Sequence, residues 1–505
     1  MRTVGFSVGA HDVSFAIVEN GIPKIHYELE RYNRKKECHD DILKVFLDTG
    51  LADYADSAGT FCMHWNGGLK AMYPKSFQMI EDKYDHLLHF GHHRLHAANA
   101  FYSSNFDEAL IITMDGGGTE EDGSDVAYTA YLGKDNKISL IDKYGMNRFN
   151  LGHAWGVIAK ILLPNGIGNQ SGTLMAMASF GQIRSELYGA IKDFIDGHSS
   201  ESNIDGIIKT SGFNGYDVAA TLQSVTDTYF YIRVDVIIKK YPHIKNLCFA
   251  GGVALNSVAI GAVQLKYPHL KIYVPPVPYD AGLAIGVGQL LQHNYNNINR
   301  VQWKSTGCTP YLGGQYFVED NKFPNSRKTT DDEVINLLLE DKIVAVYGGR
   351  SESGRRALGN RSILANPCKK EMKDAINQKV KHRQSFRPFA PSILREEVSK
   401  YFIFDVDSPY MSMCIPFRSG VMDKVPAVVH KNGTGRLQTV TVEDNEWFYN
   451  FLKLWNQASG VPILLNTSFN DREPIVETPD DAYNCFMKTD IDYLYFRDDK
   501  LLISK

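Results

Sequence analysis

Apolar and polar positions alternate along "RTVGFSVG", "VSFAIVEN" and "IPKIHYELE", and Asn20-Gly21 separates the last two runs. Alternation with a period of two marks half-buried strands, and Asn-Gly tolerates the positive φ angles of a tight hairpin. A three-stranded meander is therefore expected at residues 2–30. The pattern returns in "EALIITMDGGG", "VAYTAYLG" and "KISLIDKYG", so one architecture is expected to be used twice. Further on, "NLCFAGGVALNSVAIGAV" and "KIYVPPVPYDAGLAIGVGQLL" each read as strand, Gly or Asp turn and amphipathic helix. Such α/β units hold ligands at the carboxyl ends of their strands. The segment "VEDNKFPNSRKTTD" follows neither period and places a domain boundary, giving domains 1–325 and 326–505. Beyond it, "KIVAVYGG", "GVPILLNTSF" and "DIDYLYF" read as strands and "DDEVINLLLE" and "TPDDAYNCFMK" as helices. The fold class predicted is α/β in both halves.

A chain of 505 residues with 44% apolar content is too long for one core, because single cores stop growing near ~250 to 300 residues. The 54 basic and 58 acidic residues leave a net charge of -4, which excludes a global field recruiting nucleic acid or anionic membrane. The seven cysteines are scattered without a CxxC spacing, against a disulfide framework or a zinc knuckle and in favour of a reducing compartment. His11 and Asp12 interrupt the apolar run at the amino terminus, and no apolar segment nears the ~18 residues of a membrane span. A cytoplasmic protein with no membrane partner is expected.

Candidate chemistry begins at "HFGHHRLHAANAFYSS", with histidines at 89, 92, 93 and 96. On a helix, His92 and His96 share one face and sit close enough to share an ion, while His93 points elsewhere. Ordinary packing histidines are the alternative. Asp115, before a glycine cluster, and Asp280, in "PYDAG", end strands or turns where carboxylates either cap the backbone or join the histidines. Two imidazoles and one or two carboxylates suit Fe(II), Mn(II) or Zn(II). The glycine turns "SVGAHDVS", "MDGGGTE" and "AGGVALNS" are candidate nucleotide contacts, because successive backbone N–H groups there can face phosphate. They supply Gly116, Gly117, Gly118, Gly251, Gly252 and the neighbouring Asn256 as candidates. In the second domain, Arg350 to Arg387 carries eleven Lys or Arg against Glu352, Glu371 and Asp374. "PCKKEMKDAINQK" reads as a solvated helix, whereas "GRRALGNRS" and "HRQSFRPFAPS" interleave charge with Gly, Pro and aromatics as an ordered anion site does. "HKNGTGRLQTV" adds Arg436, and "LLNTSFN" adds Asn466, Thr467 and Ser468. A phosphate compound is the expected partner. Aromatics such as Trp65 and Trp155 offer stacking surfaces for a sugar or base, with core packing as the alternative.

The ordered set "HHRLHAANAFY", "MDGGG", "AGGVALNS", "PYDAGLAIG", "SGRRALGNRSILANP", "FRPFAPS", "NGTGRLQTV" and "LLNTSFNDREPIV" resembles the O-carbamoyltransferase family of NodU, cephem carbamoyltransferase and TobZ type. The resemblance covers nearly the whole chain. It implies an actin-like ATPase (TsaD-like) domain followed by a YrdC-like domain. It also implies use of ATP with Mg2+ and of carbamoyl phosphate: the second domain forms carbamoyladenylate, and the first transfers the carbamoyl group to a hydroxyl. On this chain it implies Arg356, Lys381, Arg436 and Ser468, with Arg387 and Asn466, for phosphate binding and adenylation. It implies Fe(II), or another divalent metal, on His92, His96, Asp115 and Asp280. His11 becomes a candidate general base or orienting group, with a structural histidine as its alternative. Acceptors across the family include sugars of antibiotics and nodulation factors, macrocycles, hydroxymethyl cephems and hydroxymethylated cytosine in phage DNA. Several positions depart from the family pattern: Thr173 stands where lysine is usual, Ser179 for proline, Arg355 for proline and Gly435 for alanine. Two other classes fit parts of the pattern: threonylcarbamoyl transfer to tRNA by a TsaD/YrdC-like fusion, and a non-catalytic ATP-binding scaffold.

Overall fold

The computed structural model describes all residues except 10, 62–67, 85, 86, 167, 302, 304–307, 320 and 321. Cys62 and Trp65 lie outside the described residues. Two compact units emerge: Met1–Glu30 with Lys36–Trp303, and Arg31–Lys35 with Lys304–Lys505. The expected boundary at residue 325 thus falls later than the division between the units. A five-residue segment from near the start of the chain also belongs to the second unit, which no linear boundary anticipates.

The first unit contains two five-stranded sheets of the same topology. In one, β1 (Arg2–Ser7), β2 (Ser14–Glu19) and β3 (Ile22–Glu28) form the antiparallel meander. There β4 (Ser57–Phe61) runs parallel to β1, and β5 (Leu87–Phe90) parallel to β4. In the other, β6 (Glu108–Thr119), β7 (Asp125–Lys134) and β8 (Lys137–Gly145) repeat the meander. The parallel strands are β9 (Asn246–Ala250) beside β6 and β10 (Lys271–Tyr273) beside β9. This is the duplicated actin-like ATPase fold. Asn20 and Gly21 take φ angles of 49° and 81° in the first hairpin, as the dipeptide requires. Phe6, Phe15 and Phe46 pack edge to face in the core under the first sheet.

Helices from Leu151 to Lys240, including the 26-residue helix Gly215–Lys240, fill the span between β8 and β9. Thr173 is buried there in the helix Ser171–Ala178. The helix His92–Tyr102 is buried along almost its whole surface. It packs against the helix Leu283–Gln289 at Gly286, where a Cβ would stand 2.3 Å from the Leu95 carbonyl oxygen. Only glycine permits that approach.

The second unit is an α/β domain, as its strand and helix pattern predicts, built on a nine-stranded mixed sheet. Its strands are β11 (Ser326–Lys328), β12 (Val344–Tyr347), β13 (Arg361–Ala365), β14 (Ala390–Leu394), β15 (Met413–Pro416), β16 (Thr434–Val440), β17 (Ile463–Ser468), β18 (Tyr493–Phe496) and β19 (Leu501–Ser504). Their spatial order is β11-β19-β18-β12-β13-β17-β14-β16-β15. The helix Glu446–Ser459 covers one face, burying Phe448, Phe451, Leu452 and Trp455. The segment expected as a solvated helix is the helix Glu371–Lys379, but it buries Met372, Ile376 and Asn377 on one side. Among the described residues, no helix is long and apolar enough to cross a membrane.

Candidate functional site

In the first unit, His92 and His96 lie one turn apart on the buried helix, as the spacing predicts. The ladder between β6 and β7 breaks between Met114 and Gly118, and this irregularity swings Asp115 out of the strand pattern. Asp280 opens a short turn held by Ser7, whose hydroxyl donates to the Asp280 carbonyl (2.8 Å), and by Ser14 and His26, which donate to the Ala281 carbonyl (2.7 and 2.9 Å). Ser7 and Ser14 face each other across β1 and β2, so the end of the first meander fixes this turn. Four ligand atoms, one each from His92, His96, Asp115 and Asp280, lie within 4.8 Å of one another. His92 Nε2 stands 3.2 Å from His96 Nε2, and Asp280 Oδ1 lies 3.6 Å from the former and 3.4 Å from the latter. Asp115 Oδ2 is 3.4 Å from His96 Nε2.

Those separations test the fit of a metal. Ligands about 2.0 to 2.2 Å from one ion stand about 2.8 to 3.6 Å apart for octahedral or tetrahedral angles, and these four spacings fall within that range. Two nitrogens facing two carboxylates form a borderline donor set for Fe(II), Mn(II) or Zn(II). Burial lowers the proton affinity of His96, but hydrogen bonds and charge from Asp115 and Asp280 overcome it and raise the group to about 9. Burial dominates at His92, which is lowered. The two carboxylates thus favour positive charge at His96.

Gly118 lets β6 lie against the His92 ring, since a Cβ there would sit 2.2 Å from His92 Cγ. The glycine turns are otherwise used differently from the expectation. Gly116 N donates to Asp115 Oδ1 (2.6 Å) and Gly252 N to Asp115 Oδ2 (2.5 Å), so these N–H groups orient a carboxylate rather than face open space. Gly117 lies against Met146, and Gly251, at φ 85°, presses on the Met114 carbonyl. Asn256 caps the helix Ser257–Lys266 through Ala259 N and donates to Gln223 Oε1 at 3.0 Å. His11 is half-exposed, its Nδ1 3.0 Å from Asp12 Oδ2. The bond to Asp12, then the charges of Asp280 and Asp115, outweigh burial and raise it to about 9. The neighbouring carboxylates thus favour the protonated ring.

His93 serves the fold. Its Nε2 donates to the Val126 carbonyl (2.9 Å), and its Nδ1 accepts from Thr113 Oγ1 (2.7 Å), which accepts in turn from Thr129 Oγ1 (2.6 Å). Only this direction satisfies the carbonyl, and it makes the ring neutral; burial, then the neighbouring histidines, lower it to about 3. The helix start lacks a side-chain cap of its own, and Glu120 and Glu121 accept from His93 N and Gly91 N instead.

The second unit gathers the basic residues. Pairing of Ser362 with Ser468, Ala390 with Asn466 and Cys414 with Arg436 puts Ser468, Asn466 and Arg436 on one face across β17, β14 and β16. Lys381, almost fully buried, donates to the Ser468 carbonyl and reaches Ser468 Oγ (3.3 Å) and both oxygens of Asn470 (2.8 Å each). Arg356, Arg383, Arg387 and Arg436 lie deep in the unit yet still reach water, as side chains lining a recess do. Burial comes first in disfavouring each charge; Arg436 adds to this at Arg356, Arg383 and Arg387. Guanidinium groups stay charged in proteins, so the cluster calls for an anion. Asn466 is not open to a ligand through its amide nitrogen, which donates toward Ala357 O (3.2 Å), Ser392 Oγ (3.1 Å) and Gln438 Oε1 (2.9 Å). It braces the loop at Ala357, next to Arg356. Arg383 and Asn470 went unassigned by sequence reasoning; "KHR" and "SFN", flanking Lys381 and Ser468, were the available signal.

Residues 335–505 match the family described as carbamoyltransferase C-terminus, and residues 42–209 and 201–288 match carbamoyltransferase N-terminus. The chain belongs to the carbamoyltransferase family. Nodulation protein NolO of Bradyrhizobium diazoefficiens is 31% identical over 429 residues, 80% of this chain and 77% of that protein. An uncharacterized protein of Synechocystis sp. is 29% identical over 597 residues, 97% of this carbamoyltransferase and 95% of its own length. Among solved structures, T. kodakarensis HypF is similar with a TM-score of 0.41 and 13% identity, over 59% of this chain and 48% of that one. This carbamoyltransferase presents two sets of chemical groups: a nitrogen and oxygen cluster in its first unit, and an arginine recess in its second.

Proposed function

We propose that the enzyme forms carbamoyladenylate from carbamoyl phosphate and ATP and transfers the carbamoyl group to the hydroxyl of an acceptor. The observation that carries this reading is the arginine recess beside Lys381 and Ser468, in a chain whose family transfers carbamoyl groups. Carbamoyl phosphate is hydrolysed to carbamate and phosphate; a carbamate oxygen then attacks the α-phosphorus of ATP, and pyrophosphate leaves. Arg356, Arg387 and Arg436 bind the phosphates and offset the charge that develops on transfer, with Arg383 completing the cluster. Lys381 holds the Ser468–Asn470 turn in shape, and Ser468 Oγ faces the same sheet side as Arg436. ATP enters with Mg2+. Keeping carbamate out of water between its release and its activation protects an unstable intermediate.

In the transfer step the acceptor oxygen attacks the carbamoyl carbon, the bond from that carbon to the phosphate oxygen breaks, AMP leaves, and the hydroxyl proton passes to the departing phosphate or to solvent. His92, His96, Asp115 and Asp280 would hold the divalent metal, with Fe(II) as the candidate from the resemblance; when bound, it supplies Lewis acidity toward nucleotide phosphate. Gly116 and Gly252 keep Asp115 oriented, and Ser7, Ser14 and His26 keep the Asp280 turn in place. His11, beside Asp12, is the candidate to orient the acceptor hydroxyl or act as its general base. The acceptor class comprises sugars, other hydroxylated small molecules and hydroxymethylated cytosine.

The test is incubation with ATP and carbamoyl phosphate, with and without a panel of hydroxylated acceptors, following AMP, pyrophosphate and the mass of the acceptor. AMP and pyrophosphate that depend on carbamoyl phosphate, with one acceptor gaining a carbamoyl mass, are expected. Dependence on threonine and bicarbonate instead, or ATP binding without pyrophosphate release, overturns the reading.

A further inference from the structure

The segment Arg31–Lys35 belongs to the second unit although it follows β3 in the chain. Arg31 is almost fully buried, and one of its terminal nitrogens, Nη2, donates to the carbonyls of both Glu352 (3.0 Å) and Gly354 (2.6 Å). Those carbonyls lie on the irregular loop that delivers Arg356, and the chain reverses there at Gly354 with φ 94°. Glu352 works on the same loop from inside, its Oε1 accepting from Leu358 N (2.6 Å), Asn360 N (3.2 Å) and Arg361 N (3.2 Å). Three residues further on, Arg34 donates to the carbonyls of Ile475 (2.7 Å) and Pro474 (2.6 Å), in the segment that follows Ser468 and Asn470. One short stretch of chain thus grips both loops of the anion recess by their backbones.

Such a grip has a physical purpose. Arg356 is brought beside Arg387 and Arg436, and like charges gathered in a partly dry recess repel. Without an anion, that repulsion favours a loop that swings outward. We propose that Arg31 is a positioning residue for the anion site, holding the 350–358 loop closed before ligand arrives. The inference rests on the reading of the recess as the carbamoyl phosphate and adenylation site. Loss of Arg31 leaves a loop that is closed only part of the time, and apparent affinity falls by that fraction. Saturating anion draws the loop back by pairing with Arg356, so the maximal rate returns.

Two measurements on the full-length enzyme test this. Hydrogen exchange of the 350–360 backbone is compared in wild type and Arg31→Ala, with and without inorganic phosphate. Steady-state AMP formation gives KM for carbamoyl phosphate and kcat separately. In Arg31→Ala, faster exchange that phosphate slows again is expected, with KM raised about tenfold for a loop closed about one-tenth of the time and kcat within about twofold of wild type. Arg31→Lys, which keeps a donor to the carbonyls, falls between and serves as the test variant if Arg31→Ala does not fold. Unchanged exchange overturns the inference whatever the activity, and so does a loss of kcat at unchanged KM, the mark of a misfolded fraction. If wild type makes no AMP while the loop still loosens, the adenylation reading fails and the positioning role stands.

Discussion

His92 and His93 are neighbours on one buried helix, yet their replacement by alanine is expected to fail in opposite ways. His93→Ala removes a fully buried imidazole that bridges Thr113 and the Val126 carbonyl. Two hydrogen bonds at about 1 kcal/mol each and the cavity together cost about 3 to 5 kcal/mol. Against a total stability of about 5 to 15 kcal/mol, the protein still folds but melts at a clearly lower temperature. The proposed ion site keeps all four of its candidate ligand atoms, so metal content is expected to be retained. His92→Ala removes one of those four atoms and breaks the 3.2 Å approach to His96, while no backbone group loses a partner. Its cost to the metal-free fold is smaller, about 1 to 3 kcal/mol, and its effect on metal content is the large one. The assay is metal per chain by mass spectrometry on protein purified without chelator or added metal, paired with thermal melts after metal removal. AMP formation from ATP and carbamoyl phosphate is expected to survive in His92→Ala, because the arginine recess belongs to the second unit. Equal metal loss in both variants, or metal-free wild type with nucleotide bound, would refute the reasoning and return the four histidines to packing roles.

Gly118→Ala places a Cβ 2.2 Å from His92 Cγ and is expected to displace that ring, lowering metal content at least tenfold while far-ultraviolet circular dichroism stays unchanged. Arg436→Ala or Arg356→Ala removes a charge-assisted phosphate contact worth about 2 to 4 kcal/mol and is expected to abolish adenylate formation while transfer from preformed carbamoyladenylate persists; equal loss of both half-reactions counts against the division of labour. Burial raises the Glu120 carboxyl to about 7, so the folded state holds its proton more tightly than the unfolded chain does. Its stabilising contribution is full below about pH 4.5 and is lost as pH rises to about 7, amounting to about 3 kcal/mol, and Glu120→Gln is expected to flatten that slope in urea titrations run across this window.

What the sequence alone determined is local. A period of two, interrupted by Asn20-Gly21, is enough for the meander because strand alternation and turn chemistry act between near neighbours. The four-residue spacing of His92 and His96 likewise declares a shared helical face before any packing is known. Clustered arginines among Gly, Pro and aromatics set these segments apart from a solvated helix, which does not need such breakers. Tertiary structure decided which distant groups meet and which backbone donors remain open. Asp115 and Asp280 converge on the histidines through the irregularity in β6 and the turn held by Ser7, Ser14 and His26. The glycines of "MDGGG" and "AGGV" look equally suited to phosphate in one dimension, yet Gly116 and Gly252 donate to Asp115 and Gly118 yields room to His92. A backbone N–H carries no mark in the sequence of the partner it will find. The same holds for Arg31, whose hold on the Arg356 loop spans more than three hundred residues of chain. Periodicity and composition report what a residue prefers among its neighbours; long-range pairing, close helix approach and uncompensated charge exist only once the chain is folded.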